Sequence, residues 1–413
     1  MTAIVAVLNK HGAAIAADSA VTLGDTHKVI NNGNKLFTLS KYEPVGIATY
    51  GNASFMGIPW EIIIKTYRKH LIEQKFPKLS DYVSDFLNYV RSCKYIKESD
   101  KDEDIFNNMM FFYNLVVNQL TSKSGHSPSI EEIVAELQRI LDINKKDHNV
   151  CPDLSDYTIY RFKQDYTGAI GTFLKAINEH YTDDQANILI ESYYYYLRLF
   201  LNESNRSGLV FVGYGEDEIY PTLISIEISR LVSDRIKYIN KESVVIGEEA
   251  GASITPFAQV DVCHTIIRGM TPLFQDLLYK IFMANASKII STIADALDKN
   301  DISNVITSQL RSLDVDVISK QFVNSFEEEK RKIYTNPLLN TIIALNKEDL
   351  ASLAESLVSL TSVVRRISPS EETVGGPIDV AIISKGDGFI WKNRKHYFDQ
   401  NMNKHFFDNY YRS

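Results

Sequence analysis

The chain has 413 residues, 45% of them apolar and 23% charged, enough to bury a sizeable core in a globular fold. Its 44 basic against 52 acidic residues leave a net charge of −8, which excludes a broad electrostatic footprint for nucleic acid or anionic lipid. Three cysteines, Cys93, Cys151 and Cys263, are odd in number and widely spaced, so neither a disulfide framework nor a structural zinc site is expected.

The N-terminal run AIVAVLN is broken at once by Lys10-His11-Gly12, too short for a secretory signal, and no apolar run approaches the roughly 20 residues that span a bilayer. A cytoplasmic protein with no membrane partner is expected. Residues 2 to 51 read as β structure: TAIVAVL, a turn at Asn9-Lys10-His11-Gly12, AAIAAD, KLFTLS and PVGIATYG, each short, apolar and bounded by turn residues. From about Ala53 to Glu203 the apolar period changes to three and four, which predicts helices, with starts at Ser80-Asp81 and at Ser129 followed by Glu132. Strands return with GLVFVGYG, PTLISIEI and SVVIGEE, helices with residues from about Pro256 to Arg366, and a final hairpin with PIDVAIISKGDGFIWK. This order predicts an α+β layered sandwich with helices outside antiparallel sheets. It is read as a single domain over 1–413, with its β core over about 2–52, 207–250 and 376–393 and helical insertions over about 53–205 and 255–366.

Chemistry gathers at the front of the chain. Methionine aminopeptidases remove Met1 before a small residue such as Thr2, and removal leaves an α-amine and a hydroxyl on one residue. An α-amine has a reference pKa of about 7.7–8.0, so near neutrality it can take the proton of its own side chain. The pair is a self-contained base and nucleophile. Asp18 ends the second strand, and antiparallel pairing returns that end to the beginning of the first. Lys35 opens the next strand in NGNKLFTLS, where an ammonium lowers the effective pKa of a neighbouring hydroxyl. Each has a bland reading as well: a processing site, a turn carboxylate and a strand-end lysine.

Taken together, TAIVAVLNKHGAAIAADSAVTLGD, NKLFTLS and GIATYGNASF resemble the start of a proteasome β-type subunit or its bacterial relatives, in the N-terminal nucleophile hydrolase superfamily. The resemblance implies a four-layer αββα sandwich and places the nucleophile at Thr2, with Asp18 and Lys35 as its partners. It also implies that a backbone N–H at Tyr50-Gly51 donates to the oxyanion. GLVFVGYGEDEIYPTLISIEI and VGGPIDVAIISKGDGF resemble later parts of the same family. The chain departs from the pattern where an Asp-x-x-Ser would precede Gly375-Gly376: it offers Glu371, Glu372, Thr373 and Val374. Glu371 is the candidate tether for the α-amine, with Thr373 as a neighbouring substitute. The family's other accessory Ser falls within IGEEAG, where Glu248 and Glu249 stand.

The activity implied is cleavage of peptide or other amide bonds through an acyl-enzyme on Thr2, with no cofactor and no metal. A polypeptide or amide substrate and a homo-oligomer, in a ring, are the expected partners. A separate ATP-dependent unfoldase joins them, since the chain carries no ATPase motif. Two rivals stand beside this reading: a catalytically silent structural subunit, and a small-molecule amidase. The tyrosine run 193–196 is expected in a core, and the basic Lys392–Phe398 stretch at a solvated strand end.

Overall fold

A computed structural model of the protein describes residues 2–23, 28–177, 181–200, 205–299, 306, 308, 315–368, 374–396, 398–399 and 401–405. The fold is α+β with antiparallel sheets, as the order of the elements predicts. Two compact units divide the chain: Met1–Gly33, Ile246–Ile382 and Ile390–Ser413 form one, Asn34–Val245 and Ile383–Phe389 the other.

In the first unit, β1 (Ala3–Asn9) and β2 (Gly12–Ala17) make a hairpin in which Asn9 pairs with Gly12. Every residue of both strands is buried. That explains why their sequences are apolar at consecutive rather than alternate positions. Asn9 is the polar exception, and its amide is saturated: Nδ2 donates to the carbonyls of Ile342 and Leu345, both at 2.8 Å, and Oδ1 accepts from the His11 N–H at 2.8 Å. A small hairpin, β3 (Val21–Leu23) and β4 (Lys28–Ile30), follows. The sequence reading missed it because three-residue strands carry no measurable period.

In the second unit, β5 (Leu36–Thr38) and β6 (Val45–Gly51) lead to a further short hairpin, β7 (Ser54–Phe55) and β8 (Ile58–Pro59). Its turn residues Met56 and Gly57 have φ of 47° and 80°, both left-handed as a type I′ turn requires. The helical region therefore begins at Trp60 rather than near Ala53. Helices α1 (Trp60–Leu71) and α2 (Leu79–Arg91) cover one face of the sheet, packing Trp60, Ile64, Tyr67 and Phe86 on Phe37, Ile47, Phe211 and Ile228. Ser80 lies inside α2, and it is Asp81 that reaches back to the Lys78 N–H at 3.0 Å.

Helices α3 (Glu98–Ser124), α4 (Ile130–Asn144), α5 (Ile159–Asp165), α6 (Thr167–Ala176) and α7 (Asp183–Arg198) enclose a second core around Phe112, Phe162, Phe173 and Tyr193. The expected cap of α4 forms: the Glu132 N–H donates to Ser129 Oγ at 3.3 Å and the Ser129 N–H to Glu132 Oε2 at 2.8 Å. Tyr193, Tyr194 and Tyr196 are buried there, as expected of an aromatic run at helical spacing. Strands β9 (Ser207–Gly213), β10 (Thr222–Val232) and β11 (Arg235–Val245) complete a sheet of order β11-β10-β9-β6-β5.

The chain then re-enters the first unit through β12 (Ala252–Ala258), which pairs with β1 from Ala3 opposite Ala258 to Asn9 opposite Ala252. The sequence pattern starts the second helical region at about Pro256, inside this strand; its first helix begins instead at Asp261. β12 is an edge strand, the place in a sheet that tolerates proline. Helices α8 (Asp261–Arg268), α9 (Pro272–Lys299), α10 (Val315–Lys330), α11 (Asn336–Ile343) and α12 (Lys347–Ile367) follow. Helix α12 lays Leu350, Ala354, Leu357 and Val358 on Ala3, Val5, Val7, Ala14 and Ala16, with the strand alanines allowing close approach. Strands β13 (Asp379–Ser384) and β14 (Gly388–Asn393) end the sheet order β12-β1-β2-β13-β14. Among the described residues no helix is long and apolar enough to cross a membrane.

Candidate active site

Thr2 immediately precedes β1 and is only 6% exposed; Asp18 immediately follows β2 and is 1% exposed. Hairpin register brings them together: Ile4 pairs with Ala17, and one step on the Asp18 N–H donates to the Ala3 carbonyl at 3.1 Å. The Asp18 carboxylate accepts three backbone N–H groups, from Ala3 at 2.9 Å on Oδ1 and from Ala20 and Gly375 at 3.1 Å each on Oδ2. Ala3 opens the hairpin, Ala20 lies two residues beyond Asp18, and Gly375 belongs to the segment entering the last strand pair.

The same segment is held by Ser19. Its N–H donates to the Gly375 carbonyl at 3.0 Å and its hydroxyl to the Pro377 carbonyl at 2.5 Å, while its own carbonyl accepts from the Gly33 N–H at 2.9 Å. Gly376 takes φ of 76°, and a Cβ there would lie 2.7 Å from the Asn31 carbonyl oxygen, so the close approach requires glycine. Val374 is fully buried, and its carbonyl accepts from the Ser362 hydroxyl at 3.2 Å. The sequence reading gave no role to Ser19 or to the Gly375 N–H. Their only local signals are the Asp-Ser pair and the Gly-Gly before the last hairpin.

Lys35 and Gly51 belong to the second unit. Lys35 is buried directly before β5, and its carbonyl accepts from the Thr49 N–H at 2.8 Å. Gly51 ends β6 with φ of 78°, and a Cβ on it would meet the Arg206 carbonyl oxygen at 2.6 Å. Glu371 lies outside the described residues. Glu248 and Glu249 are exposed in the turn before β12, at the Asn9 end of β1. Seven residue steps of about 3.3 Å put them some 23 Å of strand from Thr2. The backbone that reaches Thr2 from β12 is instead Gln259, whose N–H donates to the Thr2 carbonyl at 3.0 Å.

Cys93, Cys151 and Cys263 are buried thiols, and burial pushes Cys263 up, away from the reactive thiolate. Burial, then the Arg268 charge, pushes His264 in α8 down, so it is neutral near pH 7.

No protein-family model matches the sequence, and no curated protein matches it. Solved structures similar to the chain include Anbu from Hyphomicrobium sp. strain MC1, at 10% identity over 98% of this chain and 94% of that one, with a TM-score of 0.28. A Gly-1 mutant of that protein matches at 11% identity over 99% and 94%, with a TM-score of 0.27. Anbu from Yersinia bercovieri, described as an ancestral beta-subunit, matches at 9% identity over 98% and 94%, with a TM-score of 0.27. These findings correct the family read from the first fifty residues: no model of proteasome β-type subunits matches, and the three Anbu structures are too distant to assign a family.

Proposed function

We propose that Thr2, made the first residue by removal of Met1, is the nucleophile of a hydrolase that cleaves peptide or other amide bonds. The reading rests above all on the buried Asp18 carboxylate bonded to the N–H of the residue next to Thr2. In the proposed reaction the α-amine takes the hydroxyl proton as Thr2 Oγ1 attacks the carbonyl carbon. The tetrahedral adduct collapses to an ester on Thr2, and the α-amine passes its proton to the departing amine. Water, deprotonated by the same amine, then releases the acid. Asp18 orients the reacting residue. The further roles proposed, Lys35 as an activating cation, Gly51 as an oxyanion donor and Glu371 as an amine tether, rest on the sequence pattern. So does assembly as a homo-oligomer, which sedimentation of the purified protein checks.

Intact mass before and after treatment with an epoxyketone or β-lactone probe tests the proposal. The expected result is loss of Met1 and a single adduct that Thr2→Ala abolishes. Retained Met1, or an adduct that survives in Thr2→Ala, overturns it. A catalytically silent subunit is the second reading, favoured by the apolar Val374 buried beside Gly375; it expects Met1 loss without any adduct.

A further inference from the structure

A residue at a chain end has no peptide bond on its amino side, so its Cα is held only by the peptide that follows it. In this protein that peptide, Thr2–Ala3, is bonded at both edges. Its N–H donates to Asp18 Oδ1 at 2.9 Å and its C=O accepts from the Gln259 N–H at 3.0 Å. The two bonds come from opposite neighbours, β2 on one side and β12 on the other.

An unusual backbone adjoins the second bond. Ala258, the last residue of β12 and the register partner of Ala3, has φ of 65°. That left-handed region suits glycine, and an alanine held there is a local strain. Within the first unit it coincides with the place where the chain leaves the sheet: the next residue bonds Thr2, and α8 begins at Asp261. Ala258 is one of four non-glycine residues with positive φ among those described, and the other three lie in the second unit.

We infer that the Ala258–Gln259 step is a positioning element for the reacting residue: the left-handed turn at Ala258 aims the Gln259 N–H at the Thr2 carbonyl, completing a two-sided clamp on the Thr2–Ala3 peptide. The clamp fixes the peptide plane, leaving Thr2 only its ψ and side-chain torsions through which to bring amine and hydroxyl to a substrate. The inference rests on the proposal that Thr2 is the nucleophile.

The experiment measures two quantities on the full chain: the rate at which a β-lactone probe acylates Thr2, and hydrogen exchange at the Ala3 amide. Ala258→Val forces a β-branched residue out of the left-handed region, so acylation is expected to slow at least tenfold and Ala3 exchange to quicken by a similar factor. Ala258→Gly adopts the same turn and is expected to hold both rates within about twofold of the wild type. If Ala258→Val does not fold, Gln259→Pro removes the N–H itself and is expected to give the same pair of changes. Unchanged acylation and exchange in the folded variant overturns the clamp. No acylation of wild-type Thr2, with Ala3 exchange responding as expected, overturns the nucleophile and leaves the clamp standing. Slower acylation with unchanged Ala3 exchange also overturns the clamp, since the effect then runs by another route.

Discussion

Removing the Asp18 carboxylate takes the acceptor from three backbone N–H groups at once, those of Ala3, Ala20 and Gly375. Each is left in an interior site, so Asp18→Ala is expected to cost about 2–4 kcal/mol of stability as well as probe reactivity at Thr2; urea unfolding and intact mass read the two effects separately. Ser19→Ala loses one bond, to the Pro377 carbonyl, and is expected to cost about 1 kcal/mol in the same unfolding experiment. The return of Asp18 to the Thr2 end of β1 was legible in the sequence because a hairpin relates them, and a hairpin is a local object. Ser19, Gly375 and Gln259 were not, since each meets its partner across hundreds of residues and the register of that meeting has no local signal. Pro256 adds to the difficulty, because proline suits the first turn of a helix and so reads as the start of the helical region unless the strand is known to lie at an edge.

At the scale of elements, packing sets how much a substitution costs. Tyr50 on β6 pairs with Gly208 on β9, and a Cβ on Gly208 would fall 1.9 Å from the Tyr50 ring. The ring lies across the glycine, and its hydroxyl meets Glu227 at 3.4 Å. Gly208→Ala is therefore expected to expel Tyr50 and to cost about 2–3 kcal/mol, read as a lowered melting temperature. Ser129→Ala removes only the N-cap of α4 and is expected to cost about 1 kcal/mol. Helix α4 was legible to the residue at this end, because a capping box is spelled within four positions. The start of α1 was not: the turn at Met56-Gly57 places a methionine at positive φ, against the preferences that sequence reading depends on.

Over the whole molecule, tyrosine burial writes a pH dependence. Burial pushes Tyr82 and Tyr214 up to about 12 from the ordinary 10.0, and burial together with a neighbouring carboxylate raises Tyr50 and Tyr67 further. A raised phenol contributes stability that is complete below pH 10 and is lost as pH climbs through the folded value. Alkaline titration is therefore expected to show the exposed tyrosines ionising first and the buried set ionising together with unfolding near pH 12, followed by tyrosinate absorbance and circular dichroism; a single smooth titration centred at 10 contradicts it. The division of the chain into units has a further consequence, one of timing. Strand β1 is made well before the partner on its outer edge, β12, which ends at Ala258. At roughly 5–20 residues per second, β1 waits on the order of 10–50 s for that partner. Over that interval the outer edge of β1 has no strand beside it, and hydrogen exchange of ribosome-bound chains is expected to show the β1 amides that face β12 protected only after residue 258 has emerged.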